Sequence, residues 1–133
     1  MTEKLQFELV SPERLLLAEA VDMVVVPGAE GDFGVLKDHA PLISAVRPGV
    51  LDVHDEGQIK ERIFVAGGFA EVTGERLTVL AEEAVRLADL DRGEIESQLN
   101  DLRSDLAAAS GDGEREALAA RIEVAEAKLA VAG

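Results

Sequence analysis

Residues 47–84 read RPGVLDVHDEGQIKERIFVAGGFAEVTGERLTVLAEEA, and short apolar runs alternate there with turn-forming residues. The turn signals are Asp55-Glu56-Gly57, Gly67-Gly68 and Thr73-Gly74-Glu75. Strands that recur at intervals of about ten residues, with no helix between them, predict a sandwich or a barrel. This stretch therefore indicates a turn-rich β-fold.

The residues before this stretch carry the same period of two. Leu5, Phe7 and Leu9 alternate with polar residues, which predicts a half-buried strand. The run AVDMVVVPG, residues 20–28, is rich in β-branched residues and closes with Pro-Gly, so it predicts a further strand. Residues 1–88 are therefore expected to form a β-sandwich or a barrel, and their number is sufficient for two small packed sheets.

After Leu87 the apolar period changes to that of an α-helix. Two stripes share spacings of four and three residues: Ile95-Leu99-Leu102-Leu106 and Leu118-Ile122-Ala125-Leu129. The sequence SGDG at 110–113 separates the stripes, and a connection this short folds two helices back on each other. Asp91, with Glu94 three residues later, predicts an N-cap. The expected fold class is α+β, with residues 89–133 forming an antiparallel two-helix hairpin.

Composition excludes several classes of function. The 133-residue chain has a net charge of −14 and an aromatic content of 3%, so we expect no nucleic-acid partner. It has no cysteine, which excludes thiol catalysis, disulfides and zinc–thiolate sites. No apolar stretch approaches the ~18 residues that a spanning helix needs, and no signal peptide is visible, so we expect no direct membrane insertion.

The window VVVPGAEGDFGVLKDHAPL, residues 24–42, concentrates glycine, proline, acids and a histidine. Gly28, Gly31 and Gly34 are spaced GxxGxxG, which is neither the dinucleotide fingerprint nor a P-loop. Both phosphate motifs need a helix directly after the glycines, whereas residues 33–36 indicate another strand. We interpret these residues as turn glycines, which supply positive φ without steric cost.

An acid–base site in the same window is weakly supported. Asp38 and His39 are adjacent, so in an extended chain their side chains point to opposite faces. No nucleophile elbow is present, and two histidines with scattered carboxylates match no metal-ligand spacing. We therefore expect no catalytic, cofactor or metal site, and interpret Glu30, Asp32 and His39 as parts of a docking surface.

The residues PGAEGDFGVLKDHAPLISAVRPGVL, at 27–51, resemble the characteristic sequence of one family. The Glu-Gly-Asp, His-Ala-Pro-Leu and Arg-Pro-Gly-Val-Leu elements follow the order found in the epsilon subunit of the rotary proton-translocating ATP synthase, whose mitochondrial counterpart is called delta. VLAEEAVR at 79–86 and the helical hairpin continue the resemblance along essentially the whole chain.

This resemblance implies a non-catalytic central-stalk subunit that couples rotation of the c-ring to the catalytic head through the gamma subunit. It implies a β-sandwich that binds gamma and the c-ring, and it leaves open a contact of the hairpin with the catalytic beta or alpha subunits. The implied c-ring contact comprises Glu30, Gly31 and Asp32. The implied gamma contact comprises His39, Ala40, Pro41 and Leu42. The implied location is peripheral, on the cytoplasmic face of the bacterial inner membrane or the stromal side of a plastid thylakoid.

The sequence departs from the family in its C-terminal half. Some members bind ATP through a Leu/Ile-Asp-x-x-Arg-Ala pattern. Here Leu90 and Asp91 fit, but Glu94 and Ile95 replace the arginine and the alanine, so we expect no ATP binding. Residues 94–133 carry four basic residues against nine acids, which opposes docking on an acidic element of the beta subunit. We expect the hairpin to inhibit ATP hydrolysis weakly or not at all.

Two other classes of function remain open from the sequence. One is a stand-alone β-sandwich adaptor or chaperone with a helical tail. The other is a hydrolase that uses His39 with a distant carboxylate. Binding to gamma and c-ring proteins would distinguish the first from a rotor subunit, and turnover that depends on His39 would support the second.

Overall fold

The computed structural model describes residues 4–133, and the period-two segments form ten strands before the first helix. The strands are β1 (Leu5–Val10), β2 (Leu15–Val21), β3 (Met23–Gly28), β4 (Gly31–Leu36), β5 (Leu42–Ala45), β6 (Gly49–Asp55), β7 (Gln58–Ala66), β8 (Phe69–Thr73), β9 (Arg76–Leu80) and β10 (Glu83–Arg86). A short 3₁₀ helix, Leu87–Asp89, follows them.

The strands form two five-stranded sheets, and both contribute to one apolar core. We call the sheet with order β2-β1-β9-β8-β5 sheet A, and the sheet with order β10-β7-β6-β3-β4 sheet B. All named pairings are antiparallel except β1 with β9, which is parallel. Inward-facing residues such as Phe7, Val53 and Leu77 are nearly or fully inaccessible to solvent. The predicted β-sandwich is confirmed.

The run at residues 20–28 differs from its prediction as a single strand. It breaks at Asp22, so β2 belongs to sheet A and β3 to sheet B. The Asp22 carboxylate accepts a hydrogen bond from the Glu56 backbone N–H at 2.7 Å and lies 3.2 Å from the Lys4 ammonium. These contacts fix the corner where the backbone passes from one sheet to the other. Pro27 lies within β3 rather than after it, at a position past the β3–β6 pairing.

The C-terminal part forms helices α1 (Arg92–Ala108) and α2 (Asp112–Val131). The chain divides into two units, one ending at Arg86 and one beginning at Leu87. The predicted stripes meet between the helices, where Leu99, Leu102, Leu118, Ile122 and Ala125 form a buried cluster. The antiparallel two-helix hairpin is confirmed.

Candidate functional site

The β3–β4 hairpin exposes the three residues predicted to contact the c-ring. Gly28 pairs with Gly31, so the loop consists of Ala29 and Glu30 alone. Glu30, Gly31 and Asp32 are exposed to solvent. We call residues 28–32 the β3–β4 tip.

Two glycines are required by the geometry of this tip. A Cβ on Gly28 would lie 2.8 Å from both the Gly31 carbonyl oxygen and the Phe33 ring, which is too close for a side chain. Gly31 has a φ of +132°, a region that residues with a side chain rarely adopt. Gly34, in contrast, lies inside β4 and is not a turn glycine, because the strand begins at Gly31.

Arg47 holds the tip from the connection between β5 and β6. Its guanidinium donates to the Gly28 carbonyl at 2.6 Å and to the Asp32 carboxylate at 2.5 Å. Its backbone N–H donates to the Pro27 carbonyl at 2.9 Å. This role of Arg47 was not predicted from the sequence, although Arg47 is the first residue of the Arg-Pro-Gly-Val-Leu element.

Backbone hydrogen bonds join the tip to sheet A. The Ala29 N–H donates to the Ala45 carbonyl at 2.9 Å, and the Val46 N–H donates to the Gly68 carbonyl at 3.1 Å. A bridge between Gly28 and Val46 lies between these bonds. The exposed tip is therefore attached to both sheets.

The residues predicted to contact gamma lie on the connection from β4 to β5 and at the first residue of β5. The His39 N–H donates to the Leu36 carbonyl at 3.1 Å, and Asp38 adopts a φ of 71° to make this turn. His39 Nδ1 lies 2.7 Å from the Ala40 carbonyl oxygen. Because a carbonyl only accepts, Nδ1 carries the proton and Nε2 is the nitrogen left for a partner. Pro41 and Leu42 are exposed beside this turn.

The two predicted contact sets lie at opposite ends of β4, the edge strand of sheet B. β4 runs from the tip to Leu36, and β5 returns from Leu42 to Ala45, whose carbonyl bonds the tip. The path along β4 is about 16 Å, at about 3.3 Å per residue. The structure therefore brings residues together within each set and keeps the two sets apart.

The outer face of sheet A carries exposed apolar side chains. Register places Ala45 beside Phe69 and Phe69 beside Leu80, across β5, β8 and β9. Phe69 is 56% exposed, Leu80 is 43% exposed, and Ile43 on the same face is 68% exposed. We call Ile43, Phe69 and Leu80 the sheet A patch. Exposed apolar side chains grouped on one face are typical of a protein-binding surface.

An ionic cluster lies at the end of the sandwich where β2 passes to β3 and β6 passes to β7. The Lys4 ammonium contacts the carboxylates of Asp55 and Asp22. The hydrogen bond to Asp55 raises the pKa of Lys4. The hydrogen bond from the Glu56 N–H, followed by that from Lys4, lowers the pKa of Asp22. Hydrogen bonds thus stabilise the ionised forms of both groups.

The helical hairpin uses several of its polar side chains internally. The Asp91 carboxylate accepts from the Glu94 N–H at 3.1 Å, which confirms the predicted N-cap. The Arg92 guanidinium donates to the Leu129 carbonyl at 3.4 Å, and Arg103 lies 3.4 Å from Glu126.

Arg115 caps the other end of the hairpin. Its guanidinium donates to the carbonyls of Leu106 and Ala109, at 3.1 and 3.2 Å. These two oxygens lie at the end of α1, where the last carbonyls lack the usual helical partner and the Leu106 carbonyl accepts instead from the Ala109 N–H at 3.2 Å. Asp91 and Arg92 lie nearest to the family's nucleotide pattern. Both are engaged in capping, since Asp91 accepts from the Glu94 N–H and Arg92 donates to the Leu129 carbonyl.

Within residues 4–133, no cluster of three or more histidine or acidic side chains is arranged to hold a metal ion. Over the same residues, no helix has both the length and the apolar character needed to cross a bilayer. What the arrangement offers chemically is a set of exposed charges, one imidazole nitrogen and an apolar face.

Family models match nearly all of the described residues. The model described as ATP synthase, Delta/Epsilon chain, beta-sandwich domain matches residues 4–87. The model for the C-terminal domain of the ATP synthase epsilon chain matches residues 91–133. The chain belongs to the ATP synthase epsilon family. The resemblance stated from the sequence is therefore confirmed, and so is the role of an epsilon subunit of ATP synthase.

Individual relatives agree with the family models. The ATP synthase epsilon chain of Rhodospirillum centenum is 56% identical, over 97% of this chain and 92% of the relative. That of Maricaulis maris is 53% identical, over 99% and 98%. One polypeptide in the mitochondrial ATP synthase OSCP/F1/c-ring structure from Euglena gracilis aligns with a TM-score of 0.82 and 25% identity, over 98% of this chain and 82% of that polypeptide.

A similar fold is found in a structure whose sequence is much less similar. One polypeptide in the central stalk/c-ring structure of the Tetrahymena thermophila mitochondrial ATP synthase aligns with a TM-score of 0.66 at 13% identity, over 99% of this chain and 98% of that polypeptide. At this identity the likeness concerns the fold alone.

Proposed function

We propose that this epsilon-family chain is a non-catalytic rotor subunit that joins the gamma subunit to the c-ring and carries torque between them. The separation of the two contact sets along β4 and β5 supports this role most directly. A coupling element between two moving neighbours needs two distinct surfaces on one rigid body. A close-packed interior deforms little under load, and the core formed by both sheets supplies that rigidity.

The β3–β4 tip is the proposed c-ring contact, through Glu30, Gly31 and Asp32. Its acidic residues are exposed and its backbone is tied to both sheets, so the charges are held in a defined position. Fixed charges of this kind set register and specificity more than raw affinity.

The connection from β4 to β5 is the proposed gamma contact, through His39, Ala40, Pro41 and Leu42. We propose that the sheet A patch is a further part of the gamma contact, on the outward face of sheet A from Ile43 in β5 to Phe69, which pairs with Ala45. Apolar side chains at the centre of an interface, with polar groups at its rim, are the usual anatomy of a stable complex.

The absence of catalysis is part of the same proposal. The Nδ1 of His39 is engaged by a main-chain carbonyl rather than by a carboxylate, so the ring is oriented for a structural or interface hydrogen bond. The proposed location is peripheral, on the cytoplasmic face of the bacterial inner membrane, where gamma and the c-ring meet.

Binding of the full-length protein to purified gamma tests the gamma contact. Phe69→Asp places a charge in the sheet A patch and is expected to weaken binding at least tenfold, about the scale of a buried apolar anchor. Ile59→Asp is the matched control, because Ile59 is 50% exposed and lies on β7 of sheet B. Equal binding of gamma by Phe69→Asp and the unsubstituted protein would contradict the proposed surface.

The hairpin is proposed to have at most a weak regulatory role. Basic side chains of the hairpin are engaged within it: Arg103 with Glu126, and Arg115 with the end of α1. Less positive charge is therefore available for an acidic partner than the sequence alone suggests. ATP hydrolysis by the assembled complex should be nearly unchanged when the chain ends at Leu90. Strong activation on truncation would refute the proposal.

A further inference from the structure

The charges of the β3–β4 tip are not equivalent. The guanidinium of Arg47 pairs with Asp32 at 2.5 Å, so these two charges compensate each other. Within residues 4–133 the Glu30 carboxylate makes no hydrogen bond or ion pair. One carboxylate of the tip is therefore engaged internally, and the other is presented to solvent.

Arg47 also controls the shape of the tip. Its side chain reaches the Gly28 carbonyl and the Asp32 carboxylate, on the two sides of the two-residue loop. The planar fork of an arginine can donate to two acceptors at once, whereas a lysine presents a point charge on a flexible stem. The backbone N–H of Arg47 adds a bond to Pro27, so the side chain and the main chain of one residue hold the same turn.

We propose that Arg47 is a positioning residue for the c-ring contact and that Glu30 is the carboxylate that recognises a basic side chain on the loops of the c-ring. The inference rests on the proposed c-ring contact and deepens it. Arg47 compensates the charge of Asp32 and fixes the turn, and Glu30 supplies the attraction. The specificity of the contact thus depends on a basic residue, Arg47, that does not itself bind the partner.

The substitution Arg47→Gln separates this proposal from a simple charge effect. Removing a positive charge makes the tip more negative, so charge alone would strengthen binding to a basic partner. Positioning gives the opposite sign, because the turn loses its bonds to Gly28 and Asp32. We expect weaker binding by about threefold, the scale of one exposed ion pair.

Two further variants control for charge. The double substitution Arg47→Gln with Asp32→Asn keeps the net charge of the tip but removes the guanidinium, and it should bind as weakly as Arg47→Gln alone. Arg47→Lys keeps the charge with a single donor group. Its affinity for the c-ring should lie between that of Arg47→Gln and that of the unsubstituted protein.

Glu30→Gln separates recognition from positioning. It should weaken binding by about threefold and reduce its dependence on salt, since one exposed ion pair is lost. It should leave the exchange rate of the Ala29 amide hydrogen unchanged. In Arg47→Gln the same amide, which bonds the Ala45 carbonyl, should exchange faster.

The measurement is the affinity of the full-length protein, in complex with gamma, for the detergent-solubilised c-ring of the same ATP synthase over a series of NaCl concentrations. The expected pattern is weak binding by Arg47→Gln, by its double variant and by Glu30→Gln. Tighter binding by Arg47→Gln, unsubstituted affinity of the double variant, or no effect of Glu30→Gln would overturn the inference. Failure of the unsubstituted complex to bind the c-ring would instead contradict the proposed c-ring contact itself.

Discussion

The sandwich and the hairpin of this protein are stabilised in different ways. Within the described residues, one cluster of 17 buried apolar side chains fills the sandwich, whereas the hairpin encloses a cluster of five. The sandwich therefore draws its stability from side-chain packing between sheets. The hairpin depends more on its helix ends, where Asp91, Arg92 and Arg115 satisfy backbone groups.

The difference matches the two roles proposed for these units. An element that transmits torque must resist deformation, and a filled core provides that resistance. Two helices with a narrow contact bury less apolar area and so gain less from the hydrophobic effect. Rigidity in this protein is thus concentrated where the proposed partners bind.

The largest expected effect on stability comes from truncating a large buried side chain in each of the two cores. Phe7→Ala removes a side chain that is 1% exposed, and it should cost the sandwich about 3–5 kcal/mol of unfolding free energy. Leu102→Ala should cost the hairpin about 2 kcal/mol, the low end for such changes. Because the protein lacks Trp and Tyr, methyl NMR during urea denaturation is the suitable probe. If Leu102→Ala lowered the unfolding free energy as much as Phe7→Ala, the proposed difference between the two units would be contradicted.

The next effect concerns the start of α1. Asp91→Ala removes the bond to the Glu94 N–H and should cost the hairpin about 1 kcal/mol. The matched control is Asp101→Ala, because Asp101 is an exposed residue within α1. Amide hydrogen exchange at residues 92–95 should accelerate in the first variant and not in the control. Equal exchange in the two variants would exclude a capping role for Asp91.

A pH-dependent effect is expected in the sandwich. The folded state lowers the pKa of Asp22, so its ionised form contributes stability that is present above the unfolded pKa and is lost as the pH falls through the folded pKa. Asp22→Asn should lower the midpoint of thermal unfolding at pH 7, and the difference from the unsubstituted protein should shrink below about pH 4. Asp101→Asn serves as the exposed control. A difference for Asp22→Asn that is constant from about pH 7 to about pH 3 would contradict the assignment.

The smallest effect is expected on the surface of the hairpin. Arg103 and Glu126 are 54% and 55% exposed in their side chains and 3.4 Å apart. Arg103→Gln should change the unfolding free energy by no more than about 0.5 kcal/mol, because water and salt screen such a pair. Urea denaturation in low and high salt measures this change in unfolding free energy. A large decrease that depends on salt would show that the stability of the hairpin relies on surface charge.

Local sequence patterns were sufficient to predict much of the fold. The alternation of Leu5, Phe7 and Leu9 and the helical stripes record which side of each element is buried, so strands and helices follow from them. The Asp91 cap was predictable for the same reason, because its partner lies only three residues away.

Long-range features of the fold were not predictable in this way. The parallel pairing of β1 with β9 joins residues such as Phe7 and Leu77, and no local pattern encodes it. The break at Asp22 was missed because its partners, Lys4 and Glu56, are distant in sequence. The contacts of Arg47 with the tip are hidden for the same reason, since β4 and β5 intervene.

The proposed contact sets came from the family resemblance, and the structure adds their placement. Sequence alone could not show that β5 returns to the tip, where the Ala45 carbonyl accepts from the Ala29 N–H, while His39 lies beyond the far end of β4. The sheet A patch also escaped prediction, because Phe69 and Leu80 are as apolar as the core residues beside them. Only register reveals which of them face outward.

Site-specific cross-linking in the assembled ATP synthase tests the central claim most directly. The protein has no cysteine, so Glu30→Cys and His39→Cys each introduce a unique thiol. With a short thiol-to-amine or photoactivated linker, we expect position 30 to link to the c-ring subunit and position 39 to link to gamma. Links from both positions to the same subunit, or to neither, would contradict a coupling element with two separate faces.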